Sequence, residues 1–371
     1  MASLNGRTKA AWFSIGVCLL AVGIGPTARA QEKDVPVYKV DPYWPKQLPN
    51  NWILGAVGDM AVDKDNHIWV LQRPGSNSKE DYGLQEGVAI CCTPAPPVLV
   101  FDAQGNLIKS WGGPGAGYDW PTTEHGIFVD QAGNVWITGS NAKDRQAIKV
   151  TNDGKFILQI GKSSTAPMNN ADTTMLGGAA SITVDERAHE VYIADGYMNR
   201  RIAVFDSENG SFKRLWGAYG KPPNDARITP YNPKEPPSDS FRNPVHCVHL
   251  SNDGLVYVCD RSANRIQVFT KEGTFQKEFF VRRETVGQGS SYDLAFSHDA
   301  GQKYLLVADG QDDVIWILRR SDGAMMGSFG HRGHNAGEFY HVHNIDSDSD
   351  GNLYMGEVNF GKRIMKFSLV Q

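Results

Sequence analysis

One pattern recurs six times along this chain of 371 residues and limits what it can fold into. A short strand of alternating apolar residues ends near an acidic residue or a serine. A tight polar turn follows, and an aromatic-rich strand returns. The copies span residues 59–63 with 66–71, 127–130 with 133–137, 182–185 with 190–193, 248–251 with 254–258, 294–297 with 304–307 and 345–348 with 351–355. Most copies continue into a third strand ending in Phe, as at Val98–Phe101, and then through another turn into a fourth. Four strands at a period of roughly 45 to 65 residues predict an all-β fold, a six-bladed β-propeller. The last copy ends after its third strand, so residues 37–40 are expected to supply the missing fourth strand. That closes the ring and removes two sheet edges.

The turns inside the first and third hairpins of each copy are short. The long insertions, residues 73–97, 161–178 and 217–243, fall between second and third strands or between blades. In an up-and-down blade both of those connections emerge at the same end. One face is therefore trimmed, and the other carries the elaborated loops where function concentrates. The loops at 73–97 and 217–243 are expected to act as accessible lids.

The residue just before each first strand's apolar stretch is, in blade order, Gly58, His125, Ala180, His246, Tyr292 and His343. First strands line a propeller's channel, so equivalent positions form a ring about the axis. A single histidine there would read as a hydrogen-bonded channel residue. Three in strict alternation converge from three sides and leave an open position, the arrangement a catalytic Zn²⁺ requires. Three nitrogens also suit Fe, Co, Cu or Mn. Of the remaining histidines, His331, His334 and His341 fall in or near the last inter-blade loop and read as solvated or as supporting the ligands.

Second strands end beside the starts of first strands. Four residues after Trp69 and Tyr257 come Arg73 and Arg261, in opposed blades. The blade 3 equivalent is Gly196, followed by Tyr197. Two arginines beside a metal suit an anionic substrate, and a tyrosine there can serve as ligand, acid or base. The competing reading pairs these arginines with neighbours such as Asp195 or Asp260 and makes Tyr197 a packing residue.

Composition adds bounds. Net charge is −4, pI is near 6.2, and no basic run occurs, which argues against nucleic acid or an anionic membrane as partner. Arg7 and Lys9, an apolar stretch over residues 10–24 and the small-x-small site Ala28-Arg29-Ala30 predict a secretion signal over residues 1–30, leaving 31–371 as the propeller domain. The stretch is short and glycine-interrupted for a permanent anchor. The chain is therefore expected to be secreted or periplasmic, with no membrane association after cleavage. Export allows Cys91, Cys92, Cys247 and Cys259 to oxidise. Cys247 and Cys259 flank a turn and can bond across strands, while Cys91-Cys92 can form a vicinal bridge. Free thiols are the alternative, and none of the four has zinc-site spacing.

These segments resemble the NHL-type propeller of peptidyl-α-hydroxyglycine α-amidating lyase over most of the chain. His125-Gly126-Ile127, His246 with the later Asp260-Arg261-Ser262-Ala263-Asn264-Arg265-Ile266-Gln267, and His343-Asn344-Ile345 are similar to that family's three zinc-histidine segments. Ala194-Asp195-Gly196-Tyr197-Met198-Asn199-Arg200-Arg201-Ile202 resembles the segment with its catalytic tyrosine, and Arg73 matches its first-blade arginine. The resemblance implies zinc on His125, His246 and His343, Tyr197 as base or metal-bound phenolate, and Arg73 and Arg261 as substrate arginines. Met198 stands where the family has a disulfide cysteine. Asn344 replaces an aspartate that helps hold a structural Ca²⁺, which removes one calcium ligand. The chain is expected to carry no attached monooxygenase domain.

The expected activity is a metal-dependent lyase that cleaves the C–N bond of a hemiaminal-like small molecule or peptide bearing an anionic group. The alternatives are a metal-dependent hydrolase or lactonase-type propeller and a non-catalytic NHL binding module of the cell envelope. A Ca²⁺ lactonase would want a ring of oxygen ligands, which this channel position does not offer. A binding module gains nothing from three axial histidines.

Overall fold

The polar turns of the repeat carry their own caps. Asp130 Oδ1 accepts the N–H of Asn134 at 2.7 Å, and Asn134 Nδ2 returns a bond to Asp130 Oδ2 at 3.0 Å. Between them Gly133 takes φ +82°, a left-handed conformation that glycine adopts without Cβ strain. The same closure recurs at Asp102–Asn106 and Asp348–Asn352.

The structure, a computed structural model, describes residues 34–371. The expected signal segment lies outside these residues. Each copy of the repeat folds as a four-stranded antiparallel sheet, six in all among the described residues. The first strands are Ala56–Val62, Glu124–Val129, Ala179–Asp185, Val245–Leu250, Asp293–Phe296 and Val342–Ser347. Each packs beside the next, and the sixth returns to the first, so they line a closed ring. The last sheet takes its outer strand from the chain's beginning: Tyr38–Asp41 pairs antiparallel with Ile364–Leu369, Val40 opposite Phe367. The protein is an all-β, six-bladed propeller closed as the repeat predicts.

The apolar core divides into six layers, each shared by two adjacent blades. Trp69, Leu71 and Val100 of blade 1 meet Ile127 and Ile137 of blade 2, for example. Val57 and Met60 of blade 1 meet Tyr354 and Ile364 of blade 6. Each blade thus buries both faces, which accounts for the continuously apolar central strands such as Val256–Asp260. Both disulfides that the sequence allows are present, and the free-thiol alternative is not. Cys247 and Cys259 face each other in register with Cα atoms 4.8 Å apart, and Cys91 bonds Cys92 on the long loop of blade 1.

Arginines fasten the long loops. Arg265 donates to the Ser238 and Ser240 carbonyls, Arg200 to those of Asn224 and Ala226, and Arg283 to that of Glu235. The loop over residues 217–243 is therefore tied to the blades at several points.

Candidate metal centre

At the ring position five of the six first strands carry a break in register. It falls at Gly58, across His125-Gly126, and at Ala180, His246 and His343. An extra residue in one strand re-aims its side chain, and at His125, His246 and His343 the three imidazoles turn toward one another. A Cβ at Gly58 would lie 2.7 Å from the Glu124 carbonyl oxygen, so blade 1 has room only for glycine there.

The three histidines are buried, and their ring centroids form a near-equilateral triangle with sides of 5.0, 4.9 and 4.8 Å. One nitrogen of each lies within 4.8 Å of the others. The Nδ1 atoms point away and donate to main-chain carbonyls of the following blade: His125 to Ala180 O at 2.7 Å, His246 to Tyr292 O at 2.7 Å, and His343 to Gly58 O at 2.9 Å. A carbonyl can only accept, so Nδ1 carries the proton and each Nε2 presents a bare lone pair. Burial and the Arg73 and Arg261 guanidinia hold all three pKa values well below the ordinary histidine value, and neighbouring imidazoles add to this at His246 and His343. Neutral imidazoles with the second nitrogen hydrogen-bonded are the form in which histidine ligates a metal. The donor set therefore fits a transition metal bound by His125, His246 and His343.

Tyr197 meets this ring. Its hydroxyl lies 2.7 Å from His125 Nε2 and 3.3 Å from His246 Nε2. A Cβ at Gly196 would collide with the Val245 carbonyl at 2.0 Å, so the glycine lets the tyrosine loop press against blade 4. Asn243 Nδ2 fastens that loop through the carbonyls of Gly196, Tyr197 and Asn199.

The arginines are half-buried, and among the described residues neither forms an ion pair with a carboxylate. Arg73 Nε donates to Glu124 O at 2.6 Å, and Arg261 Nε to Gln288 O at 3.2 Å. The carboxylates that could have claimed them are taken: Asp195 bonds Arg201 and Asp260 bonds Arg265, each at 2.8 Å. The competing reading of Arg73 and Arg261 as rim ion pairs is thereby corrected. Asp195 and Asp260 need buried partners, and Arg201 and Arg265, one strand away, supply them.

Three further residues join the site. Tyr292, the blade 5 member of the ring, packs edge-on against His246 with centroids 5.5 Å apart and lies under Arg261. His341, expected as solvated or supporting, is half-buried with Nε2 3.3 Å from the Tyr292 hydroxyl, and burial lowers its pKa to about 4. Glu124 accepts from Trp120 Nε1 at 2.9 Å, and burial raises its pKa. The signal for Tyr292 was its ring position. Nothing in the spacing marked Glu124. His331 and His334 are exposed and stay off the ring. Beneath the imidazoles a small axial cavity is lined by Asp59, Ser181, Asp293 and Asn344. Asn344 is committed to Gly58 O at 3.3 Å and Gly356 N at 3.1 Å.

The chain matches no family model. It is similar to the peptidyl-glycine alpha-amidating monooxygenase B of Xenopus laevis, 26% identical over 330 residues, covering 86% of this chain and 34% of the relative. It is similar to the peptidyl-alpha-hydroxyglycine alpha-amidating lyase 1 of Drosophila melanogaster, 23% identical over 354 residues, covering 87% of this chain and 58% of the relative. The mouse NHL repeat-containing protein 3 is 26% identical over 246 residues, 64% of this chain and 58% of the relative. The chain spans about a third of the length of the amidating monooxygenases it matches. Among solved structures, a streptogramin B lyase superposes with a TM-score of 0.52 at 12% identity, over 90% of this chain and 98% of that one, a likeness of fold. By fold the chain is a six-bladed β-propeller, and by sequence it is similar to amidating lyases and to an NHL repeat-containing protein.

Proposed function

We propose that the protein is a metal-dependent C–N lyase acting on a hemiaminal-like substrate with a carboxylate, an N-acyl-α-hydroxyglycine or a peptide ending in one. The observation that carries this reading is the Tyr197 hydroxyl 2.7 Å from His125 Nε2, in a site where Arg73 and Arg261 form no ion pair among the described residues. A divalent transition metal such as Zn²⁺ on His125, His246 and His343 supplies Lewis-acid polarisation of a substrate oxygen.

The chain's own groups do the rest. Arg73 and Arg261 bind and orient the carboxylate end through terminal nitrogens that make no hydrogen bond among the described residues. Tyr197, acting as its phenolate, accepts the proton of the substrate's carbinol hydroxyl and becomes the phenol. The carbinol oxygen's electron pair forms the C=O bond as the C–N bond breaks, and the proton passes to the departing nitrogen. The products are an amide and a carbonyl compound, glyoxylate for a glycine-derived substrate, so atoms and charge balance.

The two disulfides favour an oxidising compartment, so we place the mature protein outside the cytosol. The test is turnover of α-hydroxyhippurate by protein purified with its metal. Benzamide and glyoxylate in equal amounts are expected. Absence of both at any pH from 5 to 9 would remove the lyase reading.

A further inference from the structure

Tyr292 makes three different contacts at the metal centre. Its main-chain carbonyl accepts His246 Nδ1–H at 2.7 Å and so fixes that imidazole's tautomer. Its ring lies 4.6 Å from the Arg261 guanidinium carbon. Its hydroxyl lies 3.2 Å from Gln288 Oε1 and 3.3 Å from His341 Nε2. Asn359 Nδ2 lies 3.1 Å from His341 Nδ1, and an amide nitrogen can only donate. His341 Nδ1 is then the acceptor, and its proton is on Nε2. Nε2–H donates to the Tyr292 oxygen, and the Tyr292 hydroxyl donates to Gln288 Oε1. The whole line from Asn359 to Gln288 runs in one direction and locks the phenol ring.

Arg261 needs such a support. Its only hydrogen bond among the described residues is the 3.2 Å contact from Nε, against 2.6 Å for Arg73. A free arginine side chain has much rotamer entropy to lose when it grips a ligand. Stacking on a locked ring removes part of that loss in advance and leaves the outer nitrogens facing the substrate.

Resting on the lyase reading above, we propose that Tyr292 is a positioning residue that holds Arg261 in the orientation that captures the substrate's carboxylate. It acts through its ring, independently of the main-chain bond by which it orients His246.

The test uses the full-length, metal-loaded protein and hippurate, which carries the carboxylate and the amide but lacks the hydroxyl the reaction needs. Binding is measured by titration calorimetry, and metal content by elemental analysis. Tyr292→Leu keeps the main-chain carbonyl and is expected to retain its metal while binding hippurate about tenfold more weakly, the weight of one partly desolvated cation–π contact. Tyr292→Phe keeps the ring and should stay within about threefold of wild type, near the weight of one modest hydrogen bond. Arg261→Ala should weaken binding further, and adding Tyr292→Leu to it should cost nothing more. Wild-type affinity in a metal-replete Tyr292→Leu protein overturns the inference, as do losses that add fully in the double variant. Failure of wild type to bind hippurate overturns both this inference and the carboxylate reading of the site. Turnover of α-hydroxyhippurate alongside a wild-type response in Tyr292→Leu would leave the lyase reading standing alone.

Discussion

His343 donates its Nδ1–H to the carbonyl of Gly58 at 2.9 Å, tying the last blade to the first across the point where the ring closes. The same bond links His125 to Ala180 and His246 to Tyr292. Blades 2, 4 and 6 contribute imidazoles, and blades 3, 5 and 1 contribute the carbonyls that orient them. A second set of bonds repeats the alternation one residue later. Asp59, Ser181 and Asp293 of the odd blades accept the N–H groups of Ile127, Val248 and Ile345. The centre thus has threefold order inside a sixfold ring.

From that order we expect one tightly held transition metal per chain. His125→Ala, His246→Ala and His343→Ala are each expected to lose most of it while the far-UV circular dichroism stays that of a β protein. Elemental analysis of protein purified without added metal is the check, and full metal occupancy in a variant lacking all three imidazoles would contradict the assignment.

Tyr197→Phe removes a hydroxyl and leaves the imidazoles in place. Turnover should fall by roughly 10²- to 10⁴-fold, the usual weight of a general acid–base group, with metal content unchanged. Steady-state rates and metal analysis on the same preparation separate this from loss of the centre.

Arg73→Ala and Arg261→Ala should each weaken substrate binding by about 2–5 kcal/mol, as for a charge-assisted contact at a buried site. Lysine at either position restores charge but lacks the fork that grips both carboxylate oxygens, so only partial recovery is expected. KM and kcat measured for all four variants decide it, and a pure kcat effect would reassign these residues to chemistry.

Much of this was legible in the sequence because a propeller repeats one solution. Once the six turns are aligned, His125, His246 and His343 fall on one ring, and Tyr38–Asp41 is the strand left over to complete blade 6. Arg73 and Arg261 were found by the same register. The repeat could not say which guanidinia would be free. That depends on Arg201 and Arg265 reaching Asp195 and Asp260 from the neighbouring strand, a matter of side-chain geometry. It placed Tyr292 on the ring but was silent on its meeting with His341, a contact between residues 49 apart through loops of irregular path. Burial of Glu124 beside Trp120 has no periodic signature.

The two disulfides should behave differently. Cys247–Cys259 closes a loop with a sequence separation of 12 between paired strands, so replacing both with Ala should cost about 3 kcal/mol. Cys91–Cys92 joins adjacent residues and constrains almost no unfolded chain. Replacing that pair should leave the denaturant midpoint within error. Equal effects of the two double variants would show that loop closure is not the source of the stabilisation.

Acid should expose one further contribution. Arg214 grips Glu190 with both terminal nitrogens at 2.7 and 2.6 Å, and Tyr192 donates to the same carboxylate at 2.6 Å. The Arg214 hydrogen bonds, followed by that of Tyr192, lower the Glu190 pKa to about 2 against a partial opposing effect of burial. A carboxylate whose pKa is depressed in the fold stabilises the fold fully above its unfolded value of 4.5 and progressively less as pH falls toward 2. Glu190→Gln should therefore be less stable than wild type at pH 7, by about 1–3 kcal/mol as expected for hydrogen bonds to a charged group. The gap should close between pH 4.5 and 2. Denaturant midpoints of both proteins at pH 7, 4.5, 3 and 2 give the comparison. A gap that stays constant through that range would mean the loss comes from packing around Arg214 rather than from the charge on Glu190.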